Sequence, residues 1–150
     1  AQVEAHEKGY SQVLWLDGVE RKHVEEVGTM NIFFKFKNEL ATAPLGGTIL
    51  PGITRDSVVK MATDMGLTVN QRHITIDEVI EGAKNGELEE VFGTGTAAVI
   101  APVSGLHYQG EDITIGDGNT GQLSQQLYDQ LTGYQFGDKE DPYGWREVIA

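Results

Sequence analysis

Two short stretches carry residues able to hold an anion. "TILPGITR" (48–55) runs from a strand end through Pro51-Gly52 into a helix start at Thr54. The first amides of a helix lack intrahelical partners, and the positive end of its dipole faces the same way. Ile53 and Thr54 would therefore present N–H groups, and Thr54 a hydroxyl. A plainer alternative is that Pro-Gly turns the chain and Thr54 caps its own helix; taken alone, this segment favours it. "FGTGTAAV" (92–99) has two glycines that let the backbone bend into a nest of N–H groups, with the hydroxyls of Thr94 and Thr96 beside them. It lacks the lysine of a P-loop, no G-x-G-x-x-G run is present, and taken alone the stretch favours a plain glycine bulge between strands. Two such turns in a chain of net charge −12 raise the case for a phosphate site.

Carboxylates supply the other chemistry. Glu25 and Glu26 stand just before Gly28 in "HVEEVGTMNIFFKF" (23–36), an apolar, β-branched and aromatic run. Strand alternation sends them to opposite faces, so at most one enters a site easily. Glycine in a strand often marks the close approach of a ligand or another backbone. The histidines His6, His23, His73 and His107 show no metal-ligand spacing, so no metal is expected. The serines have no nucleophile-elbow context, and nothing suggests a triad.

These residues need elements to position them. "QVLWLD" (12–17) reads as a short buried strand, and residues 23–37 as one longer strand. "NELATAPLGGTILPG" reads as a loop holding one short strand. In "TRDSVVKMATDMG" (54–66), Val58, Met61, Ala62 and Met65 fall on one helical face, with Thr54 as N-cap and Gly66 as stop. "LTVNQRHI" is a further strand, and Thr75 to Glu78 has the form of a capping box opening a helix to about Lys84. Strands follow around the Gly-Thr-Gly-Thr turn, then an edge strand in "EDITIGDGNTG". The last helix carries Leu123, Leu127 and Leu131 on one face and ends at Gly133. The class is mixed α/β, in the irregular α+β sense rather than doubly wound.

Composition bounds the function. The chain has 150 residues, 39% hydrophobic and 23% charged, enough for one domain with a real core. No run approaches a bilayer span or a signal peptide. The absence of cysteine excludes disulfides, zinc-thiolate sites and thiol catalysis. The acidic balance makes nucleic acid and anionic membranes poor partners. "AQVEAHEKGY" opens without methionine and reads as the last turns of a helix stopped at Gly9, so the chain is expected to be cut from something longer.

Taken together, "QVLWLDG", "EEVGTMNIFF", "LATAPLGGTILPGITRDSV", "RHITIDEVIEGAKNGELEEVFGTGTAAVIAPV" and "LTGYQFGDKEDPYGW" resemble the branched-chain amino-acid aminotransferases, fold-type IV pyridoxal-phosphate enzymes. The resemblance spans roughly residues 10 to 146, in order. D-amino-acid aminotransferases and aminodeoxychorismate lyases share the Glu and the phosphate turns but not this set of motifs. The resemblance implies a C-terminal large domain whose strands form a pseudo-barrel flanked by helices. It places Glu26 at the pyridine nitrogen of pyridoxal phosphate, Gly28 beneath the ring and Thr29 beside cofactor and substrate. Ile53, Thr54 and Thr96 would hold the phosphate, and Thr96 with Ala97 the substrate carboxylate. It also implies a cytoplasmic homodimer that moves an amino group between L-leucine, L-isoleucine or L-valine and 2-oxoglutarate.

The departures from the family pattern matter as much. The family's Schiff-base lysine lies upstream of "QVLWLD", and none of Lys8, Lys22, Lys35, Lys37, Lys60, Lys84 and Lys139 sits in its motif. The expectation is thus a C-terminal cofactor-binding domain over 1–150, lacking the N-terminal domain and lysine segment, and inactive by itself. Ala98 and Ala101 stand where some mammalian relatives carry a Cys-x-x-Cys redox pair. Arg55 faces an unfavourable helix dipole and is expected to reach elsewhere. The alternatives are a non-catalytic module that keeps the phosphate turns, or another fold-type IV enzyme such as a D-amino-acid aminotransferase or an aminodeoxychorismate lyase.

Overall fold

The computed structural model describes residues 14–16, 24–27, 30–44, 52–95, 99–108, 111–116 and 121–136. Along the chain these form β1 (Leu14–Leu16), β2 (Val24–Val27), β3 (Met30–Phe36), β4 (Glu39–Thr42), α1 (Ile53–Asp64), β5 (Val69–Gln71) and α2 (Ile76–Asn85). There follow β6 (Leu88–Gly95), β7 (Val99–Val103), β8 (Gly105–Tyr108), β9 (Glu111–Thr114) and α3 (Gln122–Phe136). The class is mixed α/β, as expected.

The sheet is built around β3. Its run Ile32-Phe33-Phe34 is buried on both faces, which calls for cover on both sides. One face packs Ile32 and Phe34 with Val79 of α2 and with Val24, Ala41, Ile74 and Val91. On the other, Phe33 and Phe92 stack at 5.3 Å between ring centroids, over Val58, Met61 and Ala62 of α1 and the three leucines of α3. Of the helical stripes read from the sequence, Val58, Met61, Ala62 and the three leucines are buried, while Met65, just past α1, is half-buried.

One edge of β3 pairs antiparallel with β6, and β6 in turn with β7. The other edge is shared: β2 takes Met30 and Asn31, and β4 takes Phe33 to Phe36. β5 lies parallel to β4, and α1 is the crossover between them. These seven strands form one sheet, while β8 and β9 make a separate two-stranded ladder. No closed barrel is formed among the described residues, so the expected pseudo-barrel is an open sheet there.

Several expectations change. The single strand expected over 23–37 is two antiparallel strands, with Val27 opposite Met30 and Glu26 opposite Asn31. Gly28 and Thr29, between them in sequence, lie outside the described residues. Gly93 and Gly95 belong to β6, opposite Ala101 and Val99, so neither is a turn residue. Gly133 does not end α3, which continues to Phe136. Thr54 is not the cap of α1: Gly52 holds the extended N-cap position and Asp56 N–H donates to its carbonyl at 3.1 Å.

The helix stops follow the sequence more closely. Gly66 at φ +89° donates to Thr63 while Leu67 donates to Ala62, a Schellman ending to α1. Thr75 caps α2 by accepting from the Glu78 amide at 3.1 Å. The reciprocal half of that capping box has been diverted, because the Glu78 carboxylate binds Arg72, whose Nη1 donates to it at 3.1 Å. No helix among the described residues is long and apolar enough to cross a membrane.

Candidate cofactor-phosphate site

The first turn of α1 is where donors gather. Gly52 has no side chain with which to cap the helix, so no cap hydrogen bond covers the leading amides. The N–H groups of Ile53 and Thr54 lie in the turn that has no intrahelical acceptor. Ile53 is 88% exposed, and its position leaves the end of the helix accessible.

Arg55, the third residue of this turn, does reach elsewhere. It is buried, and Nη2 donates to the Ala43 carbonyl and to Gln71 Oε1, both at 3.0 Å. It thus ties the ends of two parallel strands, β4 and β5, to the start of the helix that joins them. No carboxylate lies within ion-pair distance of it among the described residues. Its Nε has no partner there either. Burial pushes its pKa down, partly opposed by the neighbouring Asp56. A buried cation beside a bare helix N-terminus is an arrangement that an anion would complete.

The strand register links this turn to the other expected segments. Glu26 of β2 is opposite Asn31 of β3, Asn31 is opposite Thr94 of β6, and Thr94 is opposite Ile100 of β7. Asn31 and Thr94 are both buried, on the face that α1 covers. The carboxamide oxygen of Asn31 stands where a Cβ on residue 52 would be. The described parts of the stretches singled out in the sequence, Glu26, Gly52 and Thr94, therefore share Asn31 as a neighbour. Gly28, Thr29, Thr96 and Ala97 lie outside the described residues, and of Glu26 only the backbone is described.

A phosphate fits what is present. Thr94 Oγ1 is buried without a partner among the described residues, an orphan hydroxyl in the same row as Asn31. The uncapped amides and the Arg55 cation belong to the same helix turn. Sequence reasoning missed Asn31 and the individual importance of Thr94 and Gly52. The available signal was a buried-strand asparagine in "MNIFF", since a polar residue inside an apolar run needs a reason. No metal-ligating cluster exists among the described residues.

The amino-transferase class IV family matches residues 1–106. The chain belongs to the class IV aminotransferases. It is 55% identical over its whole length to the branched-chain-amino-acid aminotransferase 2 of Bacillus subtilis, and spans 41% of that relative's length. Among solved structures, the branched-chain amino acid aminotransferase of Escherichia coli superposes at a TM-score of 0.79. The two are 31% identical, and the match covers 95% of this chain and 43% of that one. A second branched-chain amino acid aminotransferase, solved in complex with N-(5′-phosphopyridoxyl)-L-glutamate, gives 0.78 at 32% identity over 97% of this chain and 44% of that one. For a class IV aminotransferase, the irregular mixed sheet is thus the fold of its relatives.

Proposed function

We propose that the chain is the C-terminal cofactor-binding domain of a branched-chain amino-acid aminotransferase. The reaction is transfer of an amino group between L-leucine, L-isoleucine or L-valine and 2-oxoglutarate. The observation that carries the reading is the meeting of the bare α1 N-terminus with the Asn31–Thr94 row, in a chain whose relatives bear that name.

Bound there, pyridoxal 5′-phosphate supplies an electron sink for the pair of electrons released at the substrate α-carbon. The amides of Ile53 and Thr54 and the Thr96 hydroxyl hold its phosphate, with the helix dipole favouring the dianion. Glu26 keeps a proton on the pyridine nitrogen, because a carboxylate beside that atom stabilises its charged form. Gly28 leaves room for the ring, and Thr29 lies beside ring and substrate. Thr96 and Ala97 turn their amides to the substrate carboxylate, which fixes the α-carbon over the ring. The working protein is a cytoplasmic homodimer.

The test is a graft of these 150 residues in place of the matching segment of the Bacillus subtilis relative. L-Leucine, L-valine and D-alanine are each offered with 2-oxoglutarate. Turnover of the L-branched substrates, abolished by Glu26→Ala in a graft that still folds, supports the reading. A folded graft supplied with pyridoxal phosphate that turns over none of them sinks it.

A further inference from the structure

Asn31 is the one described residue of β3 paired with both β2 and β6. Its backbone is opposite Glu26 on one side and Thr94 on the other. It is 7% exposed, in a strand otherwise filled by Ile32, Phe33 and Phe34. Burying a carboxamide in such a strand is costly unless it is engaged. Its oxygen occupies the space beside Gly52 where any other residue would carry a Cβ. The same imagined Cβ would lie 3.6 Å from the Arg55 Cβ, an ordinary van der Waals contact, so the clash comes from Asn31.

This contact joins the two halves of the site. Gly52 is the N-cap of α1, so its position sets where the Ile53 and Thr54 amides point. A second sign of a ligand is the orphan hydroxyl of Thr94, 1% exposed and in register with Asn31. We propose that Asn31 is a positioning residue: its carboxamide, seated against Gly52, holds the first turn of α1 at the height over the sheet that phosphate binding requires. The residue acts through the amides of Ile53 and Thr54. This rests on the phosphate role given to those amides above, and deepens it by naming what aligns them.

The probe is pyridoxamine 5′-phosphate, which needs no lysine for binding, with inorganic phosphate as a second probe. Dissociation constants are measured on the chain for wild type, Asn31→Ala, Gly52→Ala, the double variant and Asn31→Asp. Asn31→Ala and Gly52→Ala are each expected to weaken binding about tenfold, a loss on the scale of one charge-assisted hydrogen bond. In the double variant the methyl enters the space the carboxamide leaves, so Gly52→Ala should then add less than about twofold. Asn31→Asp keeps the shape, and the α1 dipole offsets part of the cost of burying its carboxylate, so its thermal stability should fall no further than that of Asn31→Ala. It places a negative charge beside the phosphate, however, and affinity should fall more than about tenfold. A purely structural role would not separate stability from affinity in that way. The Ile53 and Thr54 amide resonances should shift on titration in wild type, and much less in Asn31→Ala.

Additive losses in the double variant, or unchanged affinity in Asn31→Ala and Asn31→Asp, overturn the proposal while the phosphate site stands. Failure of the folded wild-type chain to bind either probe overturns the phosphate reading and this inference with it.

Discussion

The carboxylate of Glu90 on β6 caps the distant helix α3, and Gly121 is the residue that lets it in. Glu90 accepts the amides of Leu123 and Ser124 and the Ser124 hydroxyl, each at 2.9 Å. A Cβ on residue 121 would run into that carboxylate. A strand residue thus does for α3 what a local Ser or Asp usually does at an N-cap. Glu90→Ala should destabilise the protein by about 1–2 kcal/mol, the scale of a lost cap. Gly121→Ala should cost about as much by expelling the same carboxylate, and the two together should not add. Thermal unfolding of the three variants checks this.

The Phe33–Phe92 stack joins β3 and β6 at the centre of the sheet, both rings fully buried. Phe33→Ala should cost about 3–5 kcal/mol in denaturant unfolding, from lost burial plus the cavity left under α1. Phe33→Leu should recover most of it.

Arg55 is a buried cation lacking a carboxylate among the described residues, beside amides that would receive a phosphate. Arg55→Met keeps the bulk but strips the donors from Ala43 and Gln71. Affinity for pyridoxamine phosphate should drop about tenfold. A variant that binds as well as wild type would confine Arg55 to tying β4 and β5 together.

Arg72 links β4 to α2 by binding both Glu39 and Glu78. Its hydrogen bond to Glu39 holds that carboxyl below its ordinary value, against a smaller upward push from burial and with help from Asn70. A lowered folded pKa contributes stability that is present above the unfolded value and is lost as pH falls through the folded one. Stability should therefore decline on acidification below about pH 4.5, the ordinary value for Glu39. Glu39→Gln should flatten that acid limb and cost about 1–2 kcal/mol at neutral pH, a charge-assisted bond's worth. Chemical denaturation across the acid range reads both.

By itself, the sequence determined which segments are helix or strand and which faces they bury. The stripe Val58, Met61, Ala62 and the leucines of α3 are local periodicities, and their burial is what makes those helices stable. Gly66 and Thr75 mark helix ends for local reasons too, since a left-handed φ or a capping hydroxyl acts within a few residues. The motifs around Glu26, Ile53 and Thr96 likewise pointed to one family before any fold was known.

Tertiary structure decided the rest, through long-range pairing. An apolar run buried on both faces reads as one strand, and only the pairing of Val27 with Met30 shows two. A helix can continue past Gly133 because a mid-helix glycine costs only about 1 kcal/mol, which packing elsewhere along the helix outweighs. Nothing local links Asn31 to Gly52 or Glu90 to Gly121. Those contacts exist because the sheet brings distant backbones close enough that a missing Cβ becomes the space another side chain fills.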